Sequence, residues 1–102
     1  MTDRTTVRCL TIVAEAVLEQ RLINDLRLVG ASGWTLTPAQ GAGPRNRRVS
    51  EAGGGNVRVE VLATAEVVDR MWSALRERYF PQYAVVAWEY DVNVERGELF
   101  GS

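Results

Sequence analysis

A chain of 102 residues is one domain's worth of sequence, long enough to bury roughly two-thirds of its unfolded surface. Its 46% hydrophobic and 25% charged residues exclude a disordered chain, and its net charge of −1 gives no overall pull towards nucleic acid or anionic membrane. One cysteine, Cys9, and no histidine exclude an internal disulfide and disfavour a zinc site.

In chain order, Val7 to Val13 is a β-rich run in which Cys9 reads as a small buried hydrophobe. From Glu15 the apolar positions Leu18, Leu22, Leu26 and Val29 fall at helical spacing, and Gly30 is a C-terminal stop. Trp34 to Ala39 is a second strand, and Pro38 places it at a sheet edge or a strand end. Gly41 to Asn56 has no periodicity and is long for a connection within a compact domain, which marks a functional or disordered loop. Val57 to Ala63 alternates as a third strand with Arg58 and Glu60 on its polar face. Thr64 can cap a second helix with Glu66 in its first turn, burying Val68, Met71, Trp72, Leu75 and Tyr79 and ending at Pro81. Tyr83 to Val92 is a fourth strand, followed by a tail to Phe100 that can add another.

The order β-α-β-β-α-β is the ferredoxin-like arrangement, an α+β domain with both helices on one face of a four-stranded antiparallel sheet. The fourth strand is apolar on both sides, with Tyr83, Val85 and Ala87 on one and Ala84, Val86, Trp88 and Tyr90 on the other. One helical layer covers only one face, so the expectation is a homo-oligomer packed through the open face.

The loop carries the chemistry. Gly41 and Gly43 allow a ligand to approach the backbone closely, and Arg45, Arg47 and Arg48 follow within a few residues. Guanidinium forks suit a phosphate or a carboxylate, although a solvated basic loop has the same composition. All twelve basic residues of the chain are arginine, so the arginine type alone does not signal phosphate. The two common phosphate motifs, a Walker loop and a dinucleotide-binding glycine fingerprint, are absent. RNA-recognition domains share the topology but carry stacking aromatics on the third strand, whereas this one reads VRVEVLA. No nucleophile and base lie together. Glu60 is expected to pair with an arginine rather than act as a base.

Several segments together resemble PII-like signalling proteins, specifically the SbtB and carboxysome-associated PII group of inorganic-carbon metabolism. They are Leu10 to Glu15, Gly33 to Thr37 leading into Gly41 to Arg48, Tyr79 to Ala84, and Val94 to Phe100. The resemblance runs from Val7 to Phe100 and implies a homotrimer with an adenine nucleotide in each cleft between subunits. In that reading, residues from about 41 to 56 form a T-loop that docks on a partner. Arg45 and Arg48 grip the phosphate, Thr35, Gly41 and Gly43 line it, and the backbone around Val85 and Val86 faces the adenine. Better-known PII proteins carry a glycine-rich, lysine-containing loop before the fourth strand, where this chain has Phe80-Pro81-Gln82-Tyr83 and no lysine. That departure favours AMP, ADP or cyclic AMP over ATP, with bicarbonate as a possible second ligand. The implied partner is a bicarbonate transporter or a carboxysome-related protein. The implied location is the cytoplasm, at the membrane or carboxysome only through that partner. The alternative is a trimeric interaction module without nucleotide control, and a low-turnover nucleotide phosphatase is a third reading.

Overall fold

The computed structural model describes residues 3–41 and 55–100. Along the chain come β1 (Arg4–Glu15), a 3-10 turn (Ala16–Leu18), α1 (Glu19–Val29), β2 (Thr35–Ala39), β3 (Asn56–Ala63), α2 (Ala65–Arg78), β4 (Val86–Glu95) and a closing 3-10 turn (Gly97–Phe100). The sheet order is β2-β3-β1-β4 and every neighbouring pair is antiparallel. This is the expected βαββαβ arrangement, with β2 and β4 at the edges. Pro38 sits on edge strand β2, where a missing N–H costs no ladder bond on the open side.

Period-two alternation divides the sheet into two faces. Leu10, Ile12 and Ala14 of β1 and Val57, Val59, Val61 and Ala63 of β3 join Leu22 and Leu26 of α1 and Val68, Met71 and Leu75 of α2 in one core. Leu18 and Val85 complete it at the ends of the strands, and Trp72 packs against it half-buried. Gly30 ends α1 at φ 97°, a left-handed conformation that glycine adopts without strain, and the Ala31 amide donates to the Leu26 carbonyl at 3.0 Å. Thr64 caps α2 by accepting from the Val67 amide at 3.4 Å.

Four boundaries differ from expectation. β4 begins at Val86, not Tyr83, because the Gln82 and Tyr83 amides donate to the Tyr79 carbonyl and continue the turn that leaves α2. The tail adds no fifth strand among the described residues. Val94 and Glu95 extend β4 against Thr5 and Arg4, after which Arg96 at φ 65° turns the chain into Gly97–Phe100. That same pairing draws β1 out to Arg4 beyond the expected Val7. Finally, the run after Glu15 opens as a 3-10 turn, and α1 proper starts at Glu19.

The face away from the helices is apolar on one side and polar on the other. Register places Val92, Tyr90, Trp88 and Val86 of β4 opposite Val7, Cys9, Thr11 and Val13 of β1. Cys9 and Thr11 are buried in the middle of this face, while Trp88 and Tyr90 remain 42% and 43% exposed. Towards β2 the face becomes polar, with Thr11 opposite Glu60, Glu60 opposite Thr35, and Arg58 opposite Thr37. No helix among the described residues is long and apolar enough to cross a membrane.

Candidate functional site

The expected ligand residues fall into three groups. Gly43, Arg45 and Arg48, together with Arg47, lie outside the described residues. Thr35 and Gly41 are exposed on or beside β2, at one edge of the sheet. Val86 opens β4 at the other edge and Val85 precedes it, with Val85 buried in the core and Val86 half-buried opposite Val13. Two strands separate these edges, a gap of about 14 Å at the usual strand spacing. Within one chain the structure therefore does not bring Thr35 and Val86 together. Because the Val85 side chain is packed inward, only its backbone is available to a ligand.

The loop departs from a firmly built base. Ala39 and Asn56 are the last paired residues of the β2–β3 hairpin, and Glu15 pairs Asn56 from the other side. Gly55 takes φ 76°, and its carbonyl accepts from the Ala16 amide at 3.0 Å, which ties the base to the end of β1. Asn56 is 4% exposed, and its Oδ1 has no hydrogen-bond partner among the described residues. Beside the base, Glu60 lies 3.6 Å from Arg58, so it is an ion-pair partner as expected. No cluster of potential metal ligands occurs among the described residues.

At the opposite edge, a polar network fixes the turn that delivers the chain into β4. Tyr79 is wholly buried and its hydroxyl donates to Asp25 of α1, which also pairs with Arg78 at 3.1 Å. Burial, and then the hydrogen bond to Asp25, push the Tyr79 phenol well above its ordinary range. Arg21, one turn before Asp25, donates to the Tyr83 hydroxyl at 3.1 Å and to the Arg78 carbonyl at 3.3 Å. Its guanidinium also lies 5.0 Å and 5.6 Å from the Tyr79 and Tyr83 ring centres. Sequence reasoning places Tyr79 on the apolar stripe and assigns nothing to Arg21 or Asp25. The available signal was spacing alone: Arg21 and Asp25, and Tyr79 and Tyr83, each lie four residues apart.

A second charged group lies further along β4. Arg8 pairs with Glu89 and with Asp91 at 2.9 Å, and Glu89 also accepts from the Trp72 indole at 3.0 Å. The hydrogen bond to Glu89 raises the Arg8 pKa, so this arginine is already matched internally.

The sequence profile of the nitrogen regulatory protein P-II family matches residues 7–98. A PII-like signalling protein from Thermus thermophilus has a structure 41% identical in sequence, covering 96% of this chain and 98% of that one with a TM-score of 0.82. CPII from Thiomonas intermedia, in a structure with ADP, AMP and bicarbonate, is 16% identical over 98% of both chains with a TM-score of 0.86. The GlnK–ATP complex of Bacillus subtilis is 16% identical over 90% of this chain and 84% of that one, with a TM-score of 0.62. No curated protein matches the chain significantly. The profile spans both sheet edges and the helices between them, the T. thermophilus structure shares the same architecture from end to end, and the chain thus belongs to the nitrogen regulatory protein P-II family.

Proposed function

We propose that this protein is a non-enzymatic, nucleotide-responsive regulator that works as a homotrimer packed through its open sheet face. The observation that carries this reading is the division of the candidate site between opposite edges of one sheet, beside an apolar face that the helices leave uncovered. A neighbouring copy turned about a shared axis can bring its β4 edge to the β2–β3 edge of the first. The ligand cleft then exists only between chains. Trp88 and Tyr90 enter the shared apolar centre, while the polar row of Thr35, Glu60 and Arg58 stays at the rim.

The ligand in this reading is an adenine nucleotide: AMP, ADP or cyclic AMP. Arg45 and Arg48 hold its phosphate, Thr35, Gly41 and Gly43 supply hydroxyl and amide donors, and the Val85–Val86 backbone faces the base. Bicarbonate binds as a second small anion. Support comes from the fold shared with CPII, whose structure contains ADP, AMP and bicarbonate. The absence of lysine argues against a tight grip on the outer phosphates of ATP. Nucleotide binding sets the conformation of the T-loop, and the loop signals in the cytoplasm to an inorganic-carbon transporter or carboxysome-related partner.

Calorimetric titration with AMP, ADP, ATP and cyclic AMP, with and without bicarbonate, tests this reading. The expected result is binding by the wild type and a loss of about tenfold or more in Arg45→Ala/Arg48→Ala, since each removes a charge-assisted contact. Absence of binding by the wild type, or equal binding by the double variant, contradicts it and favours an interaction module without nucleotide control. A phosphate-release assay should give no signal above background.

A further inference from the structure

Most described arginines are balanced by carboxylates. Arg4, Arg8, Arg58, Arg70 and Arg78 each lie within ion-pair distance of an aspartate or glutamate. Among the described residues Arg21 does not, nor do Arg27, Arg76 and Arg96; Arg21 is set apart by its hydrogen bonds to a tyrosine hydroxyl and a helix carbonyl. Its natural helical partner is Asp25, four residues on, but Asp25 is 4% exposed and is engaged by Tyr79 and Arg78. With that carboxylate taken, Arg21 is held among the described residues by neutral groups: the Tyr83 hydroxyl, the Arg78 carbonyl and two aromatic rings.

An exposed guanidinium can remain without a carboxylate because water solvates it, but a solvated arginine has no need of four fixed contacts. These contacts restrict the side chain's rotamers before any ligand arrives, which lowers the ordering cost of binding. Two of the guanidinium nitrogens each direct one bond to a protein acceptor, and an arginine carries five donor hydrogens, so donors remain for an external anion. The Tyr83 oxygen accepts from Arg21, which leaves its own proton free to donate to the same anion. Tyr83 ends the turn two residues before Val85, and Arg21 reaches its hydroxyl from α1.

We propose that Arg21, aided by Tyr83, is a preorganised oxyanion-binding pair that takes a terminal phosphoryl oxygen of the bound nucleotide. This rests on the reading that a nucleotide lies against the start of β4. It brings a residue of α1 to the start of β4, and it makes the pair a determinant of phosphate-chain length. The guanidinium fork and the hydroxyl together suit a tetrahedral phosphoryl group.

The test is calorimetry of AMP and ADP against wild type, Arg21→Gln, Arg21→Lys and Tyr83→Phe, with melting temperature followed in parallel. Sodium pyrophosphate is titrated separately while the Arg21 side-chain Nε–H resonance is monitored. Arg21→Gln should weaken ADP by about tenfold and AMP by much less, collapsing the preference between them. Arg21→Lys should recover part of the loss because it keeps the charge without the fork. Pyrophosphate should shift the Arg21 resonance of the wild type.

An unchanged ADP-to-AMP ratio in Arg21→Gln overturns the proposal while leaving the nucleotide reading intact. So does an equal loss for both ligands, which would mark Arg21 as a structural staple. Pyrophosphate binding that shifts Arg21 but is not displaced by ADP assigns the pair to free phosphate and overturns the nucleotide assignment. A wild type that binds neither AMP nor ADP overturns both readings.

Discussion

At the scale of single residues, the Tyr79 phenol shows how burial becomes a pH dependence. Burial first, and the hydrogen bond to Asp25 second, raise its pKa above the value near 10 that it has in an unfolded chain. Above pH 10 the unfolded chain therefore releases a proton that the folded one retains, and stability falls as pH rises towards the folded value. The stabilising effect is complete below about pH 10 and is lost above it. Denaturant melts at pH 8 and pH 11 should show a steeper loss for wild type than for Tyr79→Phe; parallel losses would contradict the assignment. The Tyr90 pKa is also raised, first through its hydrogen bond with Cys9, so the comparison between variants isolates the Tyr79 share. At pH 8, Tyr79→Phe should cost about 1–3 kcal/mol, because buried Asp25 loses a donor while keeping Arg78.

Gly97 is constrained by space. A Cβ there would lie 2.6 Å from the Cβ of Thr5, an atom fixed by the backbone of β1. Gly97→Ala should destabilise by about 1–3 kcal/mol in urea melts through this overlap. A neutral result would mean that the closing turn is not seated against β1.

At the scale of elements, the sequence was most legible where period and punctuation agreed. Leu22 and Leu26, the stop at Gly30, the cap at Thr64 and the alternation from Val57 to Ala63 each stood where local chemistry placed them. The misplaced start of β4 has a physical cause. Tyr83 and Ala84 have strand-like side chains, but the Gln82 and Tyr83 amides are captured by the Tyr79 carbonyl, a tertiary outcome of burying Tyr79 against Asp25. The expected continuation of the tail as a strand failed at Arg96, whose left-handed backbone carries no sequence signature as glycine or asparagine would. For the proposed site, the placement of Thr35 and Val86 at opposite sheet edges follows from the strand order, whereas the Arg21 contacts depend on side-chain geometry that joins segments 62 and 57 residues apart.

At the scale of the whole molecule, the uncovered sheet face and the divided site point to the same assembly. A single chain leaves Trp88 and Tyr90 in water beside buried Cys9 and Thr11, an arrangement expected of an interface. Trp88→Glu/Tyr90→Glu should dissociate the proposed trimer by placing three pairs of carboxylates around one apolar centre, and light scattering should report single chains. A trimer that survives this change would place the interface elsewhere. The core residues of the helix face are untouched by these substitutions, so the far-ultraviolet circular dichroism of the variant should match that of wild type.

Native mass spectrometry of the wild type titrated with ADP addresses assembly and ligand in one spectrum. The cleft between chains predicts a trimer that takes up to three ADP, with no ADP retained by any single chain. A single chain that binds ADP, or a trimer that binds none at saturating concentration, would contradict a nucleotide site completed by a neighbouring copy.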